Sequence, residues 1–274
     1  MPSASLPDMV QPAAGSTFAF VAIVLALCVL LVLGVQRAGR IAGEAPSRTR
    51  SWTVAAALAV SAWLALTGAV SASGVLEMPA RPPPLMIFFF ASQLAAIVAA
   101  FSPLGTRLLQ LPVAALVGFQ VFRLPLELVL HAWVEGGTLP VQMTYEGENF
   151  DIVSGLLALP VAWLAARRPN ARWPVLAFNV VGLALLINVA RIAAFSSPVP
   201  FRTYLQDPPV LLAFHFPYGW IVPICVGGAL FGHVLVFRST KRGRDLTFNF
   251  SPGGGLRAPA SRRGPAWRRA LRSS

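Results

Sequence analysis

The stretch TFAFVAIVLALCVLLVLGV, residues 17–35, carries no charged side chain along its whole length. An apolar run of about 20 residues is long enough to cross the hydrocarbon core of a bilayer as an α-helix. Upstream of it lies Asp8 and no cationic segment, and no small-residue cleavage site follows it. A secretory signal peptide needs both a cationic segment before its apolar run and a cleavage site of small residues after it. We therefore expect this stretch to be a retained transmembrane helix.

The composition of the whole chain supports the same conclusion. Of the 274 residues, 56% are hydrophobic and 12% are charged, which is about half the usual charged fraction of ~25% in soluble domains. A soluble chain of this size would leave much of that apolar surface in water. The composition thus excludes a cytosolic enzyme, a disordered protein and a collagen-like fibre. Two cysteines are too few for a disulfide framework or a zinc finger.

Further apolar runs follow the first one along the chain. They predict an all-α fold, a polytopic transmembrane helical bundle of about seven spans. The third and fifth runs are short. The predicted spans are residues 17–35, 52–73, 85–101, 111–134, 152–166, 174–195 and 210–237.

The basic residues alternate between the loops of this predicted bundle. Eighteen of the 22 lysines and arginines fall after spans 1, 3, 5 and 7, whereas the alternate loops contain only Arg81 and Arg202. Lysine and arginine mark cytoplasmic loops. We therefore predict an N-terminus outside and a C-terminus inside, in the cytoplasmic (inner) membrane of a bacterium.

This orientation divides the chain into two parts. Residues 1–237 are predicted to form the transmembrane bundle, with an acidic external loop at 135–151. Residues 238–274 are rich in Gly, Pro, Ser and Arg and are predicted to form a basic, disordered cytoplasmic tail. Each basic residue near anionic lipid contributes about 1 kcal/mol, so membrane lipids are the expected partners. The net charge of +12 then reflects topology, and we predict no nucleic-acid partner.

Span 4 contains a stripe of ionisable residues. Arg123, Glu127 and His131 are spaced four residues apart and share one helical face, with Pro125 expected to kink the helix. Charged side chains inside a span are costly and are functional candidates for that reason. The alternative is an Arg123–Glu127 ion pair that only stabilises the bundle.

Other polar residues are predicted at the same, outer depth. They lie at the outer end of span 6, at the start of a span 7 broken by prolines, and in the segment 141–151 with the residues after it. His233, at the opposite end of span 7, is expected to be an ordinary interfacial histidine. Buried charges seek one another, so we predict one outward-facing polar pocket. Its candidate catalytic residues are Arg191, His215, Glu127 and His131, and its candidate substrate-binding residues are Arg123, Asn188, Glu146, Asn149, Asp151 and Ser154.

Three chemistries remain open for this pocket. His131 and His215 with one carboxylate would make a two-histidine metal site, although no local histidine spacing supports it and we predict no metal ligands. Glu127 and His131 could move a proton. Arginines could hold an anion while another group performs acid–base chemistry on an exported or lipid-borne substrate. No pattern in the sequence identifies a cofactor or an oligomeric state.

Between residues 150 and 230 the order of motifs resembles the exosortase/archaeosortase family. Ser154-Gly155 is followed by Asn188-Val189-Ala190-Arg191-Ile192 and then by His215. The resemblance implies a multi-pass, transpeptidase-like enzyme that acts at the outer face on sorting signals, with Arg191 and His215 in its catalytic set. The family has its cysteine nucleophile where this chain has Val153. Residues 143–151 also resemble the signature of an uncharacterised group of bacterial multi-pass membrane proteins.

Together these observations predict an exosortase-like membrane protein whose pocket binds an exported peptide or a lipid-linked substrate. The hypothesis extends to processing of that substrate. The alternative is a non-enzymatic assembly or transport-associated protein whose polar cluster is structural. Gly228 and Gly232, one helical turn apart, would suit the close helix contact of that second role.

Overall fold

The computed structural model describes residues 7–168, 171–199 and 201–248, with side chains to Lys241. Helices are the regular secondary structure of those residues, which contain no β-strand, and this confirms the all-α prediction for that part of the chain. The helices are α1 Ala14–Ile41, α2 Pro46–Ala72, α3 Pro84–Phe101, α4 Pro103–Leu108, α5 Val113–Gly118, α6 Arg123–Glu135, α7 Ile152–Arg167, α8 Arg172–Ser196 and α9 Gly227–Phe248.

Six of the helical segments are long and apolar enough to cross a membrane. Helices α5 and α6 count as one of them, because the 3-10 turn Phe119–Phe122 joins them into a continuous run. The predicted span 152–166 corresponds to α7, which is apolar but only 16 residues long. The six segments are Ala14–Ile41, Pro46–Ala72, Pro84–Phe101, Val113–Glu135, Arg172–Ser196 and Tyr218–Lys241.

The described residues up to Thr240 belong to one compact unit, and Lys241 begins a second. Of the second unit, the structure describes the last turns of α9 to Phe248. The remainder of the predicted basic tail lies outside the described residues.

The last segment of the bundle is broken, as its prolines predict. Regular α-helix begins only at Gly227, after 3-10 turns at Leu212–Phe214 and Tyr218–Ile221 and a π-helical turn at Val222–Val226. Proline lacks the backbone N–H that a regular helix needs, and π turns are frequent at functional sites. This segment therefore contributes irregular backbone to the interior of the bundle.

At one end of the bundle the start of α1 lies beside the ends of α2 and α6. We call this end the loop end. The indole of Trp133 donates to Ser16 Oγ at 3.0 Å, and the Thr17 and Tyr218 hydroxyls are 2.9 Å apart. The indole of Trp220 donates to the carbonyl of Leu64 in α2 at 3.0 Å. These contacts place four segments of the chain side by side at this end.

The opposite end, which we call the basic end, is organised by Arg107 of α4. Its guanidinium donates to Glu44 at 2.6 Å and to the carbonyl of Val35 at 3.2 Å, and it lies over the ring of Trp52. Arg238 of α9 donates to Thr106 Oγ1 at 3.1 Å. The side chains of Arg107 and Arg238 are thus held by hydrogen bonds at this end.

The segment 136–151 folds back against the bundle. Gly137 has φ +72°, a left-handed conformation that glycine adopts without steric cost. Past this turn, Leu139, Met143 and Thr144 are buried. A Cβ on Gly147 would lie 2.5 Å from Gln142 Cα, so the loop is tightly closed on itself. It thereby carries Asn149 and Asp151 into the interior.

Candidate functional site

The centre of the buried polar cluster is the guanidinium of Arg123, which is 1% exposed. Asp151 holds it with two hydrogen bonds, of which Nε to Oδ2 measures 2.6 Å and the other joins Nη2 to Oδ1. Asp151 stands at the N-cap position of α7 but makes no capping hydrogen bond, since its carboxylate is used by Arg123. The ion pair suggested for Arg123 and Glu127 is therefore wrong. The partner comes from the loop, 28 residues further along the chain.

The other side of the guanidinium contacts α8 and α9. Nη1 of Arg123 donates to the carbonyl of Gly182 at 3.1 Å and lies 3.1 Å from Nε2 of His233. Since arginine can only donate, Nε2 accepts, and Nδ1 of His233 donates to Asn179 Oδ1 at 2.8 Å. Asn179 in turn donates to the backbone carbonyl of His233 at 3.1 Å.

His233 is fully buried in this network, so its prediction as an interfacial residue is wrong. The space it occupies exists because Gly182 has no side chain, as a Cβ there would lie 2.6 Å from His233 Cε1. Asn179 and Gly182 are three residues apart on one face of α8. This spacing was the only signal in the sequence for the contact between α8 and His233.

Glu127 occupies the same interior one helical turn after Arg123. Asn149 donates to its Oε1 at 2.7 Å, and also to the carbonyl of Met143 at 2.9 Å. Oε2 of Glu127 and Oγ of Ser154 are both buried without a hydrogen-bond partner among the described residues. Glu127 is only 2% exposed. Polar atoms buried without a hydrogen-bond partner are uncommon in protein interiors.

A cavity of about 440 Å³ lies beside this cluster. This volume falls within the range of roughly 300–1,000 Å³ typical of ligand sites. Its walls are apolar side chains from α3, α6, α8 and the segment that precedes and opens α9, and they include Cys225. Its charged lining residues are Arg123, Glu127, Asp151 and Arg191. The cavity wall is therefore mostly apolar and includes these four charged residues, which we call the polar wall.

A second, exposed polar group lies around Arg191. Its guanidinium donates to Asn188 Oδ1 at 3.0 Å, to the Tyr204 hydroxyl at 3.0 Å and to Glu148 at 3.2 Å. Tyr204 also donates to Glu148, and Asn188 donates to the Glu148 carbonyl at 2.8 Å. The hydrogen bond from Tyr204, reinforced by Arg191, holds the pKa of Glu148 below its usual value. Glu148 therefore stays ionised at neutral pH and ties the loop to α8.

The two histidines predicted for the pocket lie elsewhere. His131 stacks on Tyr145 with ring centres 5.0 Å apart, and its ring nitrogens lie 3.7 Å from Glu135 and 4.0 Å from Glu146. His215 lies 3.3 Å from Glu77. Neither histidine is among the residues that line the cavity. Of the predicted single pocket, Arg191 therefore lines the same cavity as Arg123, Glu127 and Asp151, whereas the two histidines make separate contacts outside it.

This separation bears on the metal hypothesis. The two-histidine set required His131 and His215 to share a carboxylate, yet each contacts different acids. Within the part of the chain that the structure describes, no three His, Cys, Asp or Glu side chains are grouped to hold a metal ion.

Neither Ser154 nor Cys225, the two candidate nucleophiles nearest the polar cluster, has an activating partner among the described residues. Val153, at the position of the family cysteine, is partly exposed at 36%. The hydroxyl of Ser154 has no hydrogen-bond partner, and Cys225 makes no side-chain hydrogen bond, in the described structure. A nucleophilic site needs a base within hydrogen-bonding reach.

Comparison of the chain with protein-family models finds no match, and neither the curated proteins nor the solved structures give one. The exosortase resemblance therefore stays a prediction.

Sequence reasoning missed Asn179, His233 and Tyr204 as members of these groups. All three pair with side chains in other segments of the chain, so spacing within one helix did not reveal their partners. Asn179 lies on the same face of α8 as Gly182, which was the one usable signal. Tyr204 offered none.

Proposed function

We propose that the protein crosses a bacterial cytoplasmic membrane seven times, with the N-terminus and the loop end outside. The alternation of basic loops supports this orientation, as do the side-by-side contacts at the loop end, which join the start of α1 to the end of α6. In this arrangement α7 is the short fifth span, and the cavity lies nearer the outer side.

Cysteine labelling tests this orientation. Ser47 and Ser73 are both exposed and flank the two ends of α2. In intact cells a membrane-impermeant maleimide should label Ser73→Cys and leave Ser47→Cys unlabelled until the membrane is permeabilised. The wild-type chain, with only Cys28 and Cys225, gives the background. Labelling of Ser47→Cys alone would contradict the orientation.

We further propose that the protein binds a lipid-linked substrate, or an exported peptide with an apolar body, in the cavity. The observation that carries this proposal is the composition of the cavity wall: apolar side chains surround a small group of charged ones. Such a surface fits an amphiphile whose chain packs along α3 and α8 while its head reaches the polar wall. Neither Ser154 nor Cys225 has an activating base in the described structure, so the geometry supports binding better than covalent processing.

The alternative, a purely structural polar cluster, is favoured by part of the same geometry. Arg123, Asp151, His233 and Asn179 satisfy one another, as a bundle-stabilising network requires. Gly232 packs on the segment around Phe119 and Gln120, where a Cβ would lie 2.6 Å from Gln120 Nε2. A structural network, however, gives no reason for a cavity of about 440 Å³.

A volume-filling pair of variants separates the two proposals. Ala190 lines the cavity, whereas Ala184 is exposed on the same helix and does not. We expect Ala190→Phe to weaken saturable binding of radiolabelled dodecanol to the purified protein about tenfold or more, because the ring takes up cavity space. Ala184→Phe should bind as wild type does. Equal binding by both variants would contradict a role for the cavity.

A further inference from the structure

The cavity reaches the lateral surface of the bundle between α3 and α8. Most of its lining residues are buried or half-buried, but Phe90 of α3 is 61% exposed and Ile187 of α8 is 62% exposed. A side chain that lines a cavity and is also exposed marks the place where the cavity opens. Phe90 and Ile187 therefore lie at the rim of an opening, which we call the side opening.

The two helices at the side opening are joined to different parts of the bundle. Gln93 of α3 donates to the carbonyl of Val222 at 3.3 Å, in the π-helical turn before α9, whereas α8 packs on α7. Among the described residues, α3 and α8 make little direct contact with each other. The π-helical turn, whose Val222 and Cys225 line the cavity, forms the wall that is seen through the opening.

The side opening lies along the bundle and not at its tip. α8 ends at the loop end, where Gln142 donates to Ser196 at 3.3 Å, and α3 begins there, beside Leu211. Phe90 is six residues from the start of α3 and Ile187 is nine residues from the end of α8, which are distances of about 9 and 13 Å. In a hydrocarbon core about 30 Å thick, this is the depth of acyl chains.

The rim of the side opening continues the outer, apolar faces of both helices. Ile87, Phe90 and Leu94 form one exposed stripe on α3, and Val180 and Ile187 lie two turns apart on an exposed face of α8. A helix that spans a membrane turns such a stripe to lipid. A hydrocarbon chain in the bilayer can therefore reach the cavity without crossing a polar surface.

This continuity identifies the class of occupant. Resting on the proposed function, we infer that the cavity takes a membrane lipid, one hydrocarbon chain of which passes through the side opening while its head group stays in the bilayer. Of the charged lining residues, Arg123, Glu127 and Asp151 are buried, so the chain meets mostly apolar atoms. Arg191 is the exposed one and lies one turn nearer the loop end than Ile187, towards the head groups. The inference selects the lipid-linked substrate over the exported peptide.

Photolabelling in a bilayer tests this inference. The full-length protein is placed in nanodiscs with a phosphatidylcholine that carries a diazirine at the end of one acyl chain, irradiated, and mapped by mass spectrometry. We expect labelling at Cys225, which lines the cavity and is only 1% exposed, so that lipid around the bundle does not reach it. Labelling confined to exposed residues such as Leu94 would overturn the inference.

A matched pair of variants locates the route. Ile187→Trp fills the side opening, and it should lower the labelling of Cys225 about tenfold, because the bound chain must pass where the indole lies. Val180 is exposed on the same helix and lies outside the cavity lining, so Val180→Trp should be labelled as wild type is. Equal labelling of Cys225 in the two variants would overturn entry through the side opening. The wild-type map decides the lipid assignment even if a variant does not fold.

Failure of the inference and failure of the proposed function give different results. If radiolabelled dodecanol does not bind wild-type protein saturably and Cys225 is not labelled, the proposed function is overturned. If dodecanol binds saturably and Ala190→Phe weakens it, but phosphatidylcholine leaves Cys225 unlabelled, the cavity binds apolar ligands and only the lipid assignment is overturned.

Discussion

Replacement of Asp151 by asparagine should lower the free energy of unfolding by about 3–5 kcal/mol, since it leaves the buried guanidinium of Arg123 without its countercharge. The asparagine is almost the same size, so packing hardly changes. The loss should be measured as reduced stability to thermal or denaturant unfolding in detergent. Asp151 is 5% exposed and Arg123 is 1% exposed, so solvent screens the attraction between their charges only weakly.

The double variant Asp151→Asn/Arg123→Gln gives the control for coupling. With both charges removed, no unpaired ion remains, and the double loss should be smaller than the sum of the single losses. Asp207→Asn serves as the matched surface variant, because Asp207 pairs with Arg202 at 3.6 Å but is 88% exposed. It should change stability by about 0–1 kcal/mol. If the stability losses of Asp151→Asn and Arg123→Gln simply add in the double variant, the two side chains do not interact.

Gly182→Ala should destabilise the bundle by about 1–3 kcal/mol, although alanine normally favours a helix over glycine by roughly 0.5–1 kcal/mol. The added methyl group would lie 2.6 Å from His233 Cε1 and 3.6 Å from Arg123 Nη1. His233 must move, and its hydrogen bonds to Arg123 and Asn179 are then strained. The sign of the effect is therefore the opposite of the one that helix propensity predicts.

Gly228→Ala is the control for this substitution. A Cβ on Gly228 meets only Phe119 Cζ, at 3.9 Å, which is ordinary contact. It should be neutral or slightly stabilising when measured by the same unfolding assay. A Gly182→Ala protein as stable as Gly228→Ala would mean that His233 is not packed where the structure places it.

The helical segments were predictable because hydropathy alone specifies them. The predicted span 85–101 nearly coincides with α3, and 152–166 nearly coincides with α7. Helix ends were less predictable. Apolar residues indicate which part of a helix can lie in lipid, whereas α1 continues to Ile41 through Arg37 and Arg40, beyond the predicted span 17–35.

The polar cluster was predictable in membership but not in pairing. Arg123, Glu127, Asn149 and Asp151 were each selected as costly or loop-borne polar residues, and the structure does bring them together. The spacing of four residues favoured Glu127 as the partner of Arg123, because only contacts within one helix are visible in a sequence. The actual partner depends on how the 136–151 loop folds inward, which is a tertiary event. The same reason hid His233.

The Arg123–Asp151 pair has a consequence for how the chain is inserted. In the proposed seven-span topology, Arg123 would enter the bilayer as the ribosome delivers α5 and α6. Its countercharge is only 28 residues behind it, whereas His233 is 110 residues behind. At about 5–20 residues per second, Asp151 emerges roughly 1–6 seconds after Arg123, before α8 or α9 has been made. The α6–α7 hairpin can therefore neutralise its own charge during biogenesis, and the later helices dock onto a unit that is already electrically balanced.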